Sequence, residues 1–310
     1  MGIITLFHMP FFFLVSGFLN KERKIKDTVM IGLKRLLIPY FVMSSFCLFI
    51  MSVIKLIKGD FNIVYTIKII IAILSGGDFY FTDPYSGPLW FCYSLFLIKL
   101  FESVACSFKY KNIVRFIFII LSFIVLYKGN ILPFRLDSSL VGYIFFLIGF
   151  LSKNKIDSLI NCLDSRKQNI KIILFSLVAF IILFFSAYFN FDFNIRPHLS
   201  INSCLFGKYP ILFVIGGLSG TWILLVFSLI LSKIFAKSNL ILNISNGSIV
   251  ILGYHWLVYL ILFHFFQFSN TSVICALVVS LLNFIICYIL ILLAKKYFQI
   301  ILGNRTIERK

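Results

Sequence analysis

Nine stretches of this chain run for roughly the thickness of a bilayer with almost no charge in them. They are Ile3–Leu19, Leu33–Ile54, Leu89–Cys106, Ile113–Tyr127, Leu140–Leu151, Ile172–Phe189, Ile211–Ile234, Ile249–Phe268 and Ser272–Ala294. In hydrocarbon the backbone has no water to bond, so such a run must satisfy its N–H and C=O groups internally, as an α-helix. Barrel strands would alternate apolar and polar residues, and these runs do not. The fifth is short as drawn and borrows flanking residues. A tenth apolar stretch, Ile63–Leu74, is interrupted by Lys68 and too short to cross, which predicts an interfacial or re-entrant helix. The expected fold is all-α: a polytopic transmembrane helical bundle of about nine spans plus that extra helix, forming one membrane-embedded domain over residues 1–310.

Composition closes the alternatives. The 310 residues are 61% hydrophobic and 13% charged, with a mean hydropathy of +1.03. That is more apolar surface than a soluble globule can bury, and too many aromatic residues for a disordered chain. The 29 Lys and Arg outnumber the 11 Asp and Glu, for a net charge of +18. In a soluble protein this would point to nucleic acid; in a membrane protein it points to basic cytoplasmic loops, with lipid and not nucleic acid as the partner. Placing Asn20–Gly32 in the cytoplasm gathers Lys21, Arg23, Lys34, Arg35, Lys109, Lys111, Arg115, Lys153, Lys233, Lys295 and Lys310, among others, on one side. It leaves Lys55, Lys58, Lys68, Lys128, Arg135, Arg196 and Lys208 on the other, with Lys99 inside a span. The C-terminus is then cytoplasmic and Met1 is outside. With no signal sequence ahead of the first span, the expectation is a further helix upstream of Met1. The 7 cysteines form no C-x-x-C pair, so no disulfide framework, zinc site or redox motif is read.

Ionisable groups in or beside spans are costly and are functional candidates. His8 lies two residues before Pro10, which suits a first helical position. His8 is therefore expected just ahead of a helix N-terminus, neutral and able to act as a general base; an interfacial His within an aromatic belt is the plainer alternative. Lys34 and Arg35 precede Pro39, whose ring collides with the Arg35 carbonyl. A kink with a guanidinium fork suits a phosphate, and an ordinary positive-inside anchor is the plainer reading of the residues alone. His255 is central in the eighth span, where Ser248, His255 and Tyr259 share a face. That stripe is expected to look into the bundle, for a structural hydrogen bond or for catalysis. His264 and His198 read as bystanders. The outer loop Gly76–Phe91 mixes carboxylates such as Asp83 with aromatics such as Trp90, which suits a sugar or, for Trp90, an interfacial belt. Asp137, Asp192, Arg196 and Asn202 lie on the same side and could assist. No metal motif, Walker loop, G-x-G-x-x-G, G-x-S-x-G or channel filter is present in the sequence.

Several of these segments together resemble the bacterial membrane-bound acyltransferase type 3 family, which includes fucose 4-O-acetylase-like and O-antigen O-acetyltransferases. The similar pieces are Phe7-His8-Met9-Pro10 with the residues up to Phe18, Lys34-Arg35-Leu36-Leu37-Ile38-Pro39-Tyr40, and Gly87-Pro88-Leu89-Trp90-Phe91. Later come Gly216-Gly217-Leu218-Ser219-Gly220 and Asn246 through Trp256. The resemblance implies about ten helices in a bacterial inner membrane, an acyl-CoA donor, usually acetyl-CoA, used from the cytoplasm, and a sugar hydroxyl of a surface polysaccharide or its lipid-linked precursor as acceptor. It implies that Arg35, with Lys34 and Tyr40, holds the donor, that His8 is the base or its partner, and that His255 supports it in the core. Trp90, Asp83 and Asn202 fall on the acceptor side, and no metal is implied. The family's Arg-x-x-Arg ahead of the proline is here Gly32-x-x-Arg35, and its first helix, ending in a His, would precede this chain. A polysaccharide exporter of the same family, or an inactive remnant, are the alternatives the resemblance leaves open.

Overall fold

The computed structural model describes residues 2–77, 87–129, 131–156, 166–191, 199–235, 238–266 and 273–303. Among these the chain is helical, with one isolated bridge between Ser200 and Leu205. The order is α1 (Gly2–Phe18), α2 (Ile25–Gly32), a π-helical turn (Leu33–Leu37), α3 (Ile38–Ile57), α4 (Ile63–Leu74), α5 (Trp90–Ser107), α6 (Lys111–Lys128) and α7 (Leu136–Leu151). It continues with α8 (Arg166–Asn190), α9 (Pro210–Ile234), α10 (Asn239–Asn246), α11 (Ser248–Phe266) and α12 (Val273–Tyr297). Short 3-10 turns cover Gly87–Leu89, Pro133–Arg135 and Gln299–Leu302.

Among the described residues every apolar run of the sequence falls on a helix, and the protein is an all-α, multi-pass membrane protein. Among the described residues 6 helical segments are long and apolar enough to cross a bilayer, or 7 if α10 and α11, bent by 78°, count as one. The sequence suggested about nine. The shortfall has two plain sources: α1 has only 17 residues, and α6 carries Lys111, Arg115 and Lys128 within its 18.

The chain packs as two compact units. The first comprises Met1–Ile25, Leu97–Leu132 and Leu136–Ala236. Here α1 lies against α7, α8 and α9. A Cβ on Gly17 would fall 1.9 Å from the Phe146 carbonyl oxygen, and one on Gly149 would fall 2.0 Å from that of Leu14. The two helices therefore cross backbone to backbone, the small-residue packing that holds helices together where lipid removes the hydrophobic driving force. At α9 the approach is side chain to backbone: Leu6 and Phe7 fill the space left by Gly216 and Gly220. This enclosure accommodates Pro10, which lies inside α1 and not at its first position as its sequence context suggested. The Leu6 carbonyl loses its usual donor four residues on, a defect that neighbouring helices make tolerable in membranes. Asp137, offered by the sequence as an outer-side helper, instead closes the start of α7. It is buried, and it accepts the Leu132 N–H at 3.1 Å and the Ser138 hydroxyl at 3.0 Å.

The second unit comprises Lys26–Phe96, Pro133–Arg135 and Lys237–Lys310. Its core joins Tyr40, Met43 and Cys47 of α3 to Ile69 and Ile73 of α4, Tyr254 and Leu257 of α11, Ile291 of α12, and Ile301 and Leu302 of the last turn. Two contacts fix the direction of α4. Lys55, near the end of α3, sits 4.1 Å from the Tyr65 ring at the start of α4, while Tyr40, near the start of α3, donates its hydroxyl to the Ile73 carbonyl at 2.8 Å. The 12-residue α4 thus doubles back along α3, consistent with a re-entrant helix.

Candidate functional site

In the second unit the geometry begins with Pro39. A proline has no N–H, and its ring would strike the carbonyl four residues back, that of Arg35. The chain answers by widening to a π turn over Leu33–Leu37, closed by the Ile38 N–H bonding to the Leu33 carbonyl. Such turns recur at functional sites because they re-aim side chains without ending the helix. Here the turn presents Lys34 and Arg35 outward, both exposed. Among the described residues neither makes a side-chain hydrogen bond or an ion pair. Tyr40 faces the other way. It is buried, its hydroxyl is engaged by Ile73, and its ring meets Tyr93 edge-on at 5.9 Å. Of the three residues assigned to the donor by resemblance, the structure turns two outward and one into the core. Gly32, the position at which the resemblance implies another arginine, is buried against Phe96. A Cβ there would lie 2.5 Å from the ring, so a larger side chain requires the ring to move.

Trp90 is 6% exposed, not a solvent-facing belt residue. Arg135 is one of its neighbours, with the guanidinium 5.9 Å from the indole and the Nε–H bonded to the Gly76 carbonyl at 3.1 Å. Phe134 and Arg135 both have left-handed backbones, at φ 56° and 57°. Strain of that kind persists only where the surroundings over-determine it.

His255 of α11 is half-buried, with Nδ1 2.7 Å from the Ile251 carbonyl oxygen. The stripe it was expected to share divides: Ser248 is exposed, whereas Tyr259 is half-buried against the cluster of Val258, Leu262, Val279 and Cys287, and Val250, Tyr254 and Leu257 face the other buried core. The Asn283 amide instead reaches the His255 backbone carbonyl at 2.8 Å.

In the first unit His8 sits inside α1, one turn beyond Ile4, and not ahead of a helix start. Its Nδ1 is 3.2 Å from the Ile4 carbonyl oxygen. A carbonyl only accepts, so Nδ1 carries the proton and Nε2 the lone pair. The same logic holds for His255. Asn202 is half-buried in the turn after Leu199, next to Ile201, whose carbonyl accepts the Ser138 hydroxyl at 3.2 Å. Asp83, Asp192, Arg196 and His198 lie outside the described residues.

Residues 1–292 match the family model Acyl_transf_3, described as an acyltransferase domain. The chain belongs to the membrane acyltransferase type 3 family. No curated protein and no solved structure matches it. The matched stretch of this acyltransferase domain contains His8, Lys34, Arg35, Tyr40, Trp90, Asn202 and His255, and stops short of the final turn at Gln299–Leu302.

One polar cluster of the acyltransferase escaped the sequence reading. Glu102 of α5 and Arg115 of α6 form a buried ion pair, with Arg115 Nε 3.2 Å from Glu102 Oε1. The Tyr143 hydroxyl of α7 donates to Glu102 Oε2 at 2.9 Å, and the Cys106 thiol lies 3.3 Å from Oε1. The signal was present as an acid and a base of opposite sign near facing ends of successive apolar runs. In the sequence Arg115 reads as one more basic residue of the cytoplasmic side.

Proposed function

We propose that this acyltransferase moves an acetyl group from acetyl-CoA, bound at the cytoplasmic face of a bacterial inner membrane, to a sugar hydroxyl of a surface polysaccharide or its lipid-linked precursor. The observation that carries the reading is Arg35, held outward on the π turn beside Lys34 as a fork suited to phosphate. A nucleotide-linked thioester supplies such phosphates. On this reading the C-terminus faces the cytoplasm, as the basic loops suggest.

His8 is the proposed base. The sugar O–H bond breaks and its proton passes to Nε2, while the oxygen forms a bond to the thioester carbonyl carbon. The tetrahedral intermediate collapses as the carbon–sulfur bond breaks, and the departing thiolate takes the proton back from the imidazolium. Nδ1, donating to the Ile4 carbonyl, fixes the tautomer throughout.

The test uses the full chain in native membranes, with radiolabelled acetyl-CoA and the host's own glycan. His8→Ala should lower incorporation by about 10²–10⁴-fold, the usual worth of a general base, and Arg35→Ala should raise the donor KM. Full activity of His8→Ala removes it from the chemistry. Mass spectrometry of surface glycan from a deletion strain addresses transport. Loss of O-acetyl mass with normal glycan abundance supports transfer, whereas loss of the glycan itself favours export.

A further inference from the structure

The last described turn of the chain lies on the backbone of Arg35. After the 3-10 turn Gln299–Leu302, Gly303 turns left-handed at φ 68°, and its N–H bonds to the Ile300 carbonyl at 3.1 Å. A Cβ added to Gly303 would meet two backbone atoms of Arg35, the Cα and the carbonyl oxygen, each at 3.0 Å. That carbonyl is the one Pro39 cannot serve with an N–H. Ile301 and Leu302 anchor the turn in the same apolar core as Tyr40, with Leu36 packed against it. Backbone contact on this scale acts on the shape of the π turn and not on the Arg35 side chain, which stays exposed.

We infer that Gly303 is a positioning residue: the C-terminal turn closes over the Arg35 carbonyl and holds the π turn in the geometry that aims the guanidinium at the donor. The inference rests on the reading of Arg35 as donor-binding. It adds a determinant outside the matched family region, chosen for what it lacks: any side chain would both strain a left-handed backbone and press on a helix already widened to accommodate a proline.

The experiment measures equilibrium binding of acetyl-CoA to the purified full chain in micelles, for wild type, Arg35→Ala and Gly303→Ala, alongside the melting temperature of each without ligand. The expected result is a loss of affinity of about tenfold or more in both variants, the worth of one charge-assisted contact, with the ligand-free melting temperature of Gly303→Ala lowered by only a few degrees, as the strain of a left-handed alanine requires, and the variant still folded. Arg35→Ala impaired with Gly303→Ala binding normally overturns the inference and leaves the donor reading standing. Normal binding by Arg35→Ala overturns the donor reading, and the inference falls with it. Hydrogen exchange on the wild type decides the matter should Gly303→Ala fail to fold. Acetyl-CoA should slow exchange in peptides covering residues 33–38 and 299–303 together, and protection of the first without the second overturns the inference.

Discussion

Arg115→Ala removes one half of an ion pair whose side chains are 8% and 2% exposed. The wild-type carboxylate of Glu102 is held by the guanidinium, the Tyr143 hydroxyl and the Cys106 thiol. After the substitution only the two weak neutral donors remain, and the carboxylate stays buried among α5, α6 and α7. Breaking a buried pair from one side costs about 3–5 kcal/mol, because the remaining charge has lost its compensation. Removing both charges is different: Glu102→Met with Arg115→Met should cost much less, since apolar replacement of a buried pair is commonly neutral or better by about 1–4 kcal/mol. The Tyr143 hydroxyl is then stranded, at about 1–3 kcal/mol, and adding Tyr143→Phe should recover that amount. The assay is reversible unfolding in mixed micelles by SDS titration, followed through Trp222, which lies in the same unit with its indole N–H 3.2 Å from the Ser176 hydroxyl. A cost below about 1 kcal/mol for Arg115→Ala, or a double variant as unstable as the sum of the singles, would refute the electrostatic account. Acetyl-CoA affinity of the folded fraction should not change, which separates this cation from Arg35.

Tyr40→Phe should lower stability by about 1 kcal/mol, the net worth of the hydroxyl bond to Ile73, and leave acetyl-CoA affinity within twofold; a tenfold loss would return Tyr40 to the donor site. Gly149→Ala forces a methyl to within 2.0 Å of the Leu14 carbonyl, so overpacking of about 1–3 kcal/mol or more is expected in the same SDS titration. Because α1 carries His8, its transfer rate should fall together with its stability, and a stable Gly149→Ala with full activity would mean that α1 and α7 do not cross backbone to backbone.

Helices were the legible part of this fold, and for a physical reason. A long apolar run has one way to satisfy its backbone in lipid, so each run could be read directly. Helix ends and faces depend on neighbours and were harder. Pro10 looked like a helix start because propensity penalises an interior proline, yet α1 continues through it inside a cage of α7 and α9. The polar stripe of Ser248, His255 and Tyr259 reads as one inner face of α11, yet only part of it packs, Tyr259 against the Val258 cluster while Ser248 is exposed, and the residues that let helices approach are small. Gly247 lies against Ile291 and Gly253 against Met43. In a membrane bundle, glycine spacing marks the packed face better than polarity does.

The candidate site was legible only where local chemistry decides it. The conflict between Pro39 and the Arg35 carbonyl is written in four residues of sequence, and the π turn is its direct consequence. The roles of Trp90 and Arg135 could not be read that way, since they meet across more than forty positions. A loop that reads as fit to stack a sugar contributes a tryptophan that is buried, with a guanidinium 5.9 Å from its ring. The same limit applies to Gly303, whose function depends on what lies above it and not on its own neighbours in sequence. Residues that act by leaving space are invisible to motif reading. A search for donor determinants in this acyltransferase should therefore follow the backbone contacts around the π turn outward to the C-terminal turn, where a single added methyl tests the arrangement.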